Sequence, residues 1–313
     1  MGYVIATANM KGGVGKTTLT VNLAAALAKD FGKRVLVVDL DNQISATLSL
    51  VPPSDFAKIR REKRTLRYLI NQAIQNADQP DARIQDFIRP YVGNTKDLNL
   101  LPGDLDLYDE FLVSQKLHEK AVQQQANTNF EGVWTELERV LVWSILEPVI
   151  DDFDFIILDC APGYTLLTRS ALACSNFYLL PARPEPLSLI GIQLLQRRLK
   201  QLKEVHQFDH EYVMELVGIA FTMSGGLLSG RYSKKVMQRV HSDFGEKKIF
   251  QTQIPLDVNV SKAVDSYLPV VISDPTCSGS KAFRKVAKEF MEKLTEILGS
   301  KAQKSKVDLV EME

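Results

Sequence analysis

The sequence is poor in the residues that build disulfide frameworks and metal centres. It has 3 cysteines, Cys160, Cys174 and Cys277, and no two form a C-x-x-C pair. Neither a disulfide scaffold nor a zinc site is expected, and a reducing compartment is. The 4 histidines, His118, His206, His210 and His241, show no ligand spacing. No apolar run approaches the ~20 residues of a membrane-crossing helix. An excess of one charge is missing too: 38 Lys+Arg balance 38 Asp+Glu. A generally basic, DNA-coating protein is thereby excluded, while a local basic patch stays open. The chain opens directly on a strand pattern, so neither a leader nor an N-terminal DNA-binding domain is expected. What is present is 45% hydrophobic residues over 313 positions, enough for one large α/β domain or one domain with an insertion.

The most informative stretch is "ANMKGGVGKTTLTVNLAAALA" (8–28). A phosphate-binding loop reads Gly, four residues, Gly-Lys-Ser/Thr, between a buried strand and a helix. Gly15-Lys16-Thr17 supplies the second half, and Met10 stands where the first glycine would be. The run "YVIATA" (3–8) is short, apolar and β-branched, as a buried parallel strand is. Residues 17–29 place apolar side chains at helical spacing. Gly12, Gly13 and Gly15 let backbone N–H groups converge on phosphate oxygens, and the helix N-terminus adds a favourable dipole. In such a loop Lys16 reaches the β/γ-phosphates and the Thr17 hydroxyl binds Mg²⁺. Lys11, five positions earlier, has no place in that scheme.

The rest of the chain alternates strand and helix patterns. Buried strands are expected at 34–41, 153–160, 176–182 and 216–223, with edge or extended segments at 248–255 and 268–273. Helices are expected at 165–174, 187–205, 230–243 and 279–298. That alternation implies a mostly parallel twisted sheet with helices on both faces. Ligands in such sheets bind beyond the C-terminal strand ends, where Asp39, Asp41 and Asp159 lie. Residues 52–150 break the rhythm: a helix at 65–77 capped by Thr65, a short strand at 97–104, and helices near 105–125 and 131–149. We read one domain over 1–298 with a helical insertion at about 52–150. The polar stretch 122–129 is expected as a loop and the charged end 299–313 as a flexible tail.

These motifs carry a resemblance. "KGGVGKTT" (11–18) resembles the deviant phosphate loop of the ParA/MinD group of ATPases, which does not require glycine at the Met10 position. "VVDLDNQISAT" (37–47) is similar to that group's first switch, with Asn42 in place of the usual proline. "FDFIILDCAPGYTLLTRSAL" (153–172) resembles its Walker B strand and second switch, with Ala161-Pro162-Gly163 where Pro-Pro-Ser is usual. Residues 254–289 are similar to the C-terminal stretch of ParA-type partition ATPases. The resemblance covers both ends of the chain and misses much of 52–150.

It implies a P-loop NTPase of the SIMIBI type that uses ATP and Mg²⁺ as a slow switch. Two subunits sandwich two ATP molecules, and Lys11 crosses the interface to the partner's nucleotide. In-trans cations of that kind are worth ~10³–10⁵ in rate. The remaining assignments follow the motifs: Gly12, Gly13, Val14, Gly15, Lys16, Thr17 and Thr18 around the phosphates, Asp41 on the attacking water, Asp39 and Asp159 with Thr17 in the Mg²⁺ shell. Thr222, Met223 and Pro255 are candidates for the adenine.

A switch needs an output, and the resemblance implies sequence-independent DNA binding. Backbone phosphate contacts need charge rather than base-reading geometry. Candidate contacts are Arg231, Lys234, Lys235 and Arg239 within 230–240, then Lys247 and Lys248. Arg197, Arg198, Lys200 and Lys203 form a second cluster. The implied protein is a homodimeric, cytoplasmic, nucleoid-associated ATPase that moves a plasmid, chromosome or protein cargo. A ParB-like or other adaptor stimulates its hydrolysis. A MinD-like membrane positioner would end in a basic amphipathic helix, and "KSKVDLVEME" ends acidic. An iron–sulfur carrier would need paired cysteines. A metabolic ligase on the same fold would need a small-substrate pocket.

Overall fold

The computed structural model describes residues 2–75, 82–123, 130–205, 214–224 and 230–310. The chain begins β1 (Tyr3–Thr7), α1 (Lys16–Phe31), β2 (Val35–Leu40), α2 (Ser45–Leu48), α3 (Pro53–Arg61) and α4 (Leu66–Gln75). It continues β3 (Leu98–Leu101), α5 (Glu110–Gln123), α6 (Phe130–Leu146), β4 (Phe155–Cys160), α7 (Leu166–Ala173), β5 (Phe177–Ala182) and α8 (Pro186–Val205). It closes with β6 (Glu215–Phe221), α9 (Gly230–Phe244), α10 (Val258–Ala263), α11 (Val270–Ser273) and α12 (Ser278–Val310). Among the described residues, 6 strands form one sheet in the order β3-β2-β4-β1-β5-β6. Every pairing is parallel.

Side chains alternate across that sheet with a period of two, and each face has its own core. Ile5, Val37 and Ile157 pack with α1, α11 and α12 on one face. Val4, Leu36, Val38, Ile156 and Leu158 pack with α4, α6, α7 and α8 on the other. Because both faces are covered, the central strands read as unbroken apolar runs. Leu19, Leu23 and Leu27 of α1 are fully buried. Each contributes roughly 1.5–3 kcal/mol relative to exposure, which anchors the helix that carries the phosphate loop.

The insertion 52–150 packs into this architecture: Leu66, Leu69, Ile70, Leu141 and Leu146 share a core with β2 and β4. Thr65 precedes α4 as expected, but its hydroxyl donates to Asp104, at 2.8 Å. Two local readings differ from expectation. Residues 268–273 are not a strand, since α11 occupies Val270–Ser273. Four apolar residues cannot distinguish a buried strand from a buried helix, and Pro269 at φ −55 starts the turn. The segment 249–255 is extended, in line with expectation: Ile249 bridges Ile219 of β6, and Pro255 bridges Ser224 just beyond the end of that strand. At the C-terminal end, α12 runs through Val310 where a flexible tail from 299 was expected. Extending an existing helix adds one hydrogen bond per residue fixed, so polar helix formers continue it. The expected loop at 122–129 falls largely outside the described residues.

Candidate functional site

The phosphate loop joins β1 to α1 at the C-terminal edge of the sheet. Gly15 caps α1 with φ 78, in the left-handed region that a side chain resists. Gly13 has φ 70. A Cβ on Gly13 would meet nothing within 4 Å, and one on Gly12 only Pro162 at 3.9 Å. The loop therefore borders open space on its glycine side. Lys16 is buried, and its Nζ donates to the Lys11 carbonyl at 3.1 Å. Burial lowers its pKa, while Asp159 acts in the opposite direction. Thr222 is buried behind the loop, and its hydroxyl donates to the Val14 carbonyl at 2.8 Å. It braces the loop from beneath. Met223, with φ 53, precedes Ser224, which bridges Pro255. Two of the three adenine candidates thus share one edge, and Thr222 spends its hydroxyl on the loop.

The carboxylates arrive from adjacent strands. Asp39 and Asp159 are register partners on β2 and β4. Thr17 Oγ1 donates to Asp159 Oδ2 at 2.7 Å, and Thr20 Oγ1 to Oδ1 at 2.9 Å. Asp39 Oδ2 accepts from the Thr47 amide at 2.8 Å and the Thr47 hydroxyl at 2.7 Å. Both carboxylates are fully buried, and burial pushes Asp39 up to about 6 and Asp159 up to about 7. A Cβ on Gly103 would lie 2.9 Å from the Asp39 carbonyl, so glycine alone admits this close approach. Asp41 stands at the rim, and its Oδ1 accepts from Gln43 N at 3.0 Å. Thr47 and Gly103, which sequence reasoning missed, fix Asp39. The signal was faint: a threonine in the first switch and a glycine in "LLPGD".

Lys11 is separate from this cluster. Its Nζ pairs with Glu185 Oε1, just ahead of α8, with both side chains about one-third exposed. Its Cβ lies 3.7 Å from where a Cβ on Gly191 would stand. Two lysines five positions apart therefore occupy opposite sides of the loop. Lys16 faces the strand-end carboxylates, and Lys11 faces α8.

An AAA domain family model matches residues 2–211. The chromosome-partitioning ATPase Soj of Thermus thermophilus is 31% identical over 292 residues, covering 93% of this chain and 96% of that protein. The chain belongs to the ParA/Soj family of ATPases. The sporulation initiation inhibitor protein Soj of Bacillus subtilis is 30% identical, over 92% of this chain and 98% of its own length. Among solved structures, the septum site-determining protein MinD of Pyrococcus horikoshii in complex with Mg-ADP is 23% identical. It has a TM-score of 0.62 and covers 95% of this chain and 98% of that one. The expected mostly parallel P-loop fold is thus shown, and the chain is an ATPase of ParA type.

The residues present fit a magnesium nucleotide. The glycine cradle is open, a lysine lies within it, and a threonine hydroxyl meets a buried carboxylate. Among the described residues no group of His, Cys, Asp and Glu forms a self-sufficient metal cage.

The basic candidates divide by what they touch. Lys234 and Lys235 are exposed on α9, whose Val236 and Val240 are buried. Arg239 pairs with Asp243 at 3.2 Å. Lys247 pairs with Glu296 at 2.6 Å, and Lys248 donates to the Leu216 carbonyl at 2.9 Å. The Arg231 side chain lies outside the described residues.

Proposed function

We propose that this ATPase binds ATP with Mg²⁺, dimerises on it, and holds DNA without sequence preference until a partner protein stimulates hydrolysis. The cycle would move a plasmid, chromosome or protein cargo across the nucleoid in the cytoplasm. The observation that carries the reading is Lys11, set at the loop's outer edge on Glu185, away from its own Lys16 pocket. A lysine so placed lies outside its own phosphate pocket and becomes available to a second subunit once its pair with Glu185 opens.

Lys16 supplies charge inside the loop, and Thr17 with Asp159 would hold the metal. Asp41 Oδ1 is fixed by Gln43 N, which turns the carboxylate as a unit and lets its other oxygen orient a water. Bound Mg-ATP supplies the transferable phosphoryl group, whose developing charge these cations stabilise. Lys234 and Lys235 are the best-placed DNA contacts, since the other described candidates on α9 and beyond are engaged within the fold. Among the described residues no helix is long and apolar enough to cross a membrane. A gel shift of non-specific DNA, run with and without ATP beside liposome pelleting, tests the reading. ATP-dependent DNA retention supports it, whereas ATP-dependent liposome binding without DNA binding would favour a membrane positioner.

A further inference from the structure

The second switch, 161–165, spans the gap between β4, which carries Asp159, and the first turn of α7. It lies against the phosphate loop: Pro162 Cβ is 3.9 Å from where a Cβ on Gly12 would stand. Two features leave its backbone loose. No residue of 161–165 belongs to a helix or a strand. Gly163 has φ 94, and a Cβ there would meet nothing within 4 Å. Glycine also loses more conformational freedom on ordering than any other residue.

Tyr164 grips this segment from outside the pocket. Its hydroxyl donates to the Arg198 carbonyl of α8 at 3.1 Å. Its ring carries two guanidinium groups: Arg169 Cζ of α7 and Arg198 Cζ each lie 5.6 Å from the ring centre. Arg169 in turn pairs with Glu138 of α6 at 2.9 Å and lies 5.5 Å over the Trp134 ring. A guanidinium within ~6 Å of a ring centre is drawn to the ring's negative face. The anchors are themselves fixed, since Glu138 is buried and Arg198 donates to Gln201 Oε1 at 3.1 Å. The run Trp134, Arg169, Tyr164, Arg198 therefore ties the second switch to α6 and to α8. Glu138 and Arg169 by themselves would only brace α6 on α7. Tyr164 extends that brace into the irregular segment.

We propose that Tyr164 is a positioning residue for ATP hydrolysis, whose grip on α6 and α8 sets where the second switch lies over the phosphate loop. It acts through Pro162 and its neighbours rather than on the nucleotide. A reacting geometry displaced by ~1 Å can lose 10²-fold in rate, so a grip outside the pocket matters to turnover. ATP itself is held chiefly by the loop amides and Lys16, so the grip should weigh on kcat more than on ATP affinity. The insertion gains a task by the same route, because Trp134 and Glu138 belong to it.

Basal turnover, ATP affinity by calorimetry, and hydrogen exchange over 161–165 test this on the full chain. Tyr164→Ala should lower kcat by about tenfold or more while the Kd for ATP stays within about twofold. Amides of 161–165 should exchange faster, and those of the phosphate loop should not. Tyr164→Phe keeps the ring and both guanidinium contacts and loses only the hydroxyl bond, so it should restore most of kcat. Arg198→Ala removes one guanidinium from an exposed position on α8 and should slow kcat in the same direction by less. It decides the matter if Tyr164→Ala does not fold. Wild-type kcat in Tyr164→Ala, or in Arg198→Ala where that variant decides, overturns the proposal. A lower Tm at wild-type kcat does the same, since the run would then brace the fold alone. Tyr164→Phe as slow as Tyr164→Ala also overturns it, because the ring contacts would not be the grip. So does a loss of ATP affinity as large as the loss of kcat/KM, which would place Tyr164 in binding.

Discussion

Lys11 cannot serve a neighbouring subunit while it is tied to Glu185 in its own. Glu185→Gln removes the charge that holds it and leaves the side-chain shape. Both partners are about one-third exposed, so the pair belongs to the screened, surface class. Such pairs contribute ~0.2–1 kcal/mol each. A dimer releases two of them, so the variant should favour dimerisation by roughly 0.4–2 kcal/mol, about 2- to 30-fold in the association constant. The gain should shrink as salt rises, because the pair it removes is itself screened. Sedimentation equilibrium in ATP reads this directly, with Asp41→Ala in both proteins so that hydrolysis does not deplete the ligand. An unchanged dimer would mean that the pair restrains nothing. A weaker dimer would refute the reasoning outright, because Glu185 would then act between subunits instead of restraining Lys11 within one.

Lys16→Ala should abolish nucleotide binding by calorimetry, since the loop loses its central cation. Lys234→Ala/Lys235→Ala should weaken DNA binding alike for all sequences. It should also flatten the log–log salt slope by up to about 1.8, at ~0.9 per lost phosphate contact. Thr47→Val should destabilise the fold by about 1–3 kcal/mol, read as a lower Tm and rescued by Thr47→Ser, because a buried Asp39 oxygen loses its hydroxyl donor. Asp39→Asn should gain stability relative to wild type as pH rises. Burial raises Asp39 from 3.8 to about 6, so the folded state binds the extra proton. The wild type then loses stability between those values while asparagine does not, and Tm measured from pH 4 to pH 7 checks the sign.

The phosphate loop was legible because its chemistry is local. Glycines, a lysine and a threonine within a few residues fix backbone shape and charge together, and the strand and helix periods on either side agree. The parallel sheet was legible for the same reason: every central strand is a short apolar run that ends at a polar residue. Residues 268–273 misled, since four apolar positions carry no period.

The sequence by itself determined the strand-and-helix alternation, the loop, and the three aspartates at strand ends. Only the tertiary structure decided what each of them touches. Thr47 and Gly103 reach Asp39 from a switch and from the insertion, Thr222 braces Val14 from 208 positions away, and Glu185 holds Lys11 across 174. Such contacts depend on the sheet order β3-β2-β4-β1-β5-β6, which crosses the chain over itself and places distant strand ends side by side. Local propensity carries no record of that order, because it is set by which faces bury against which.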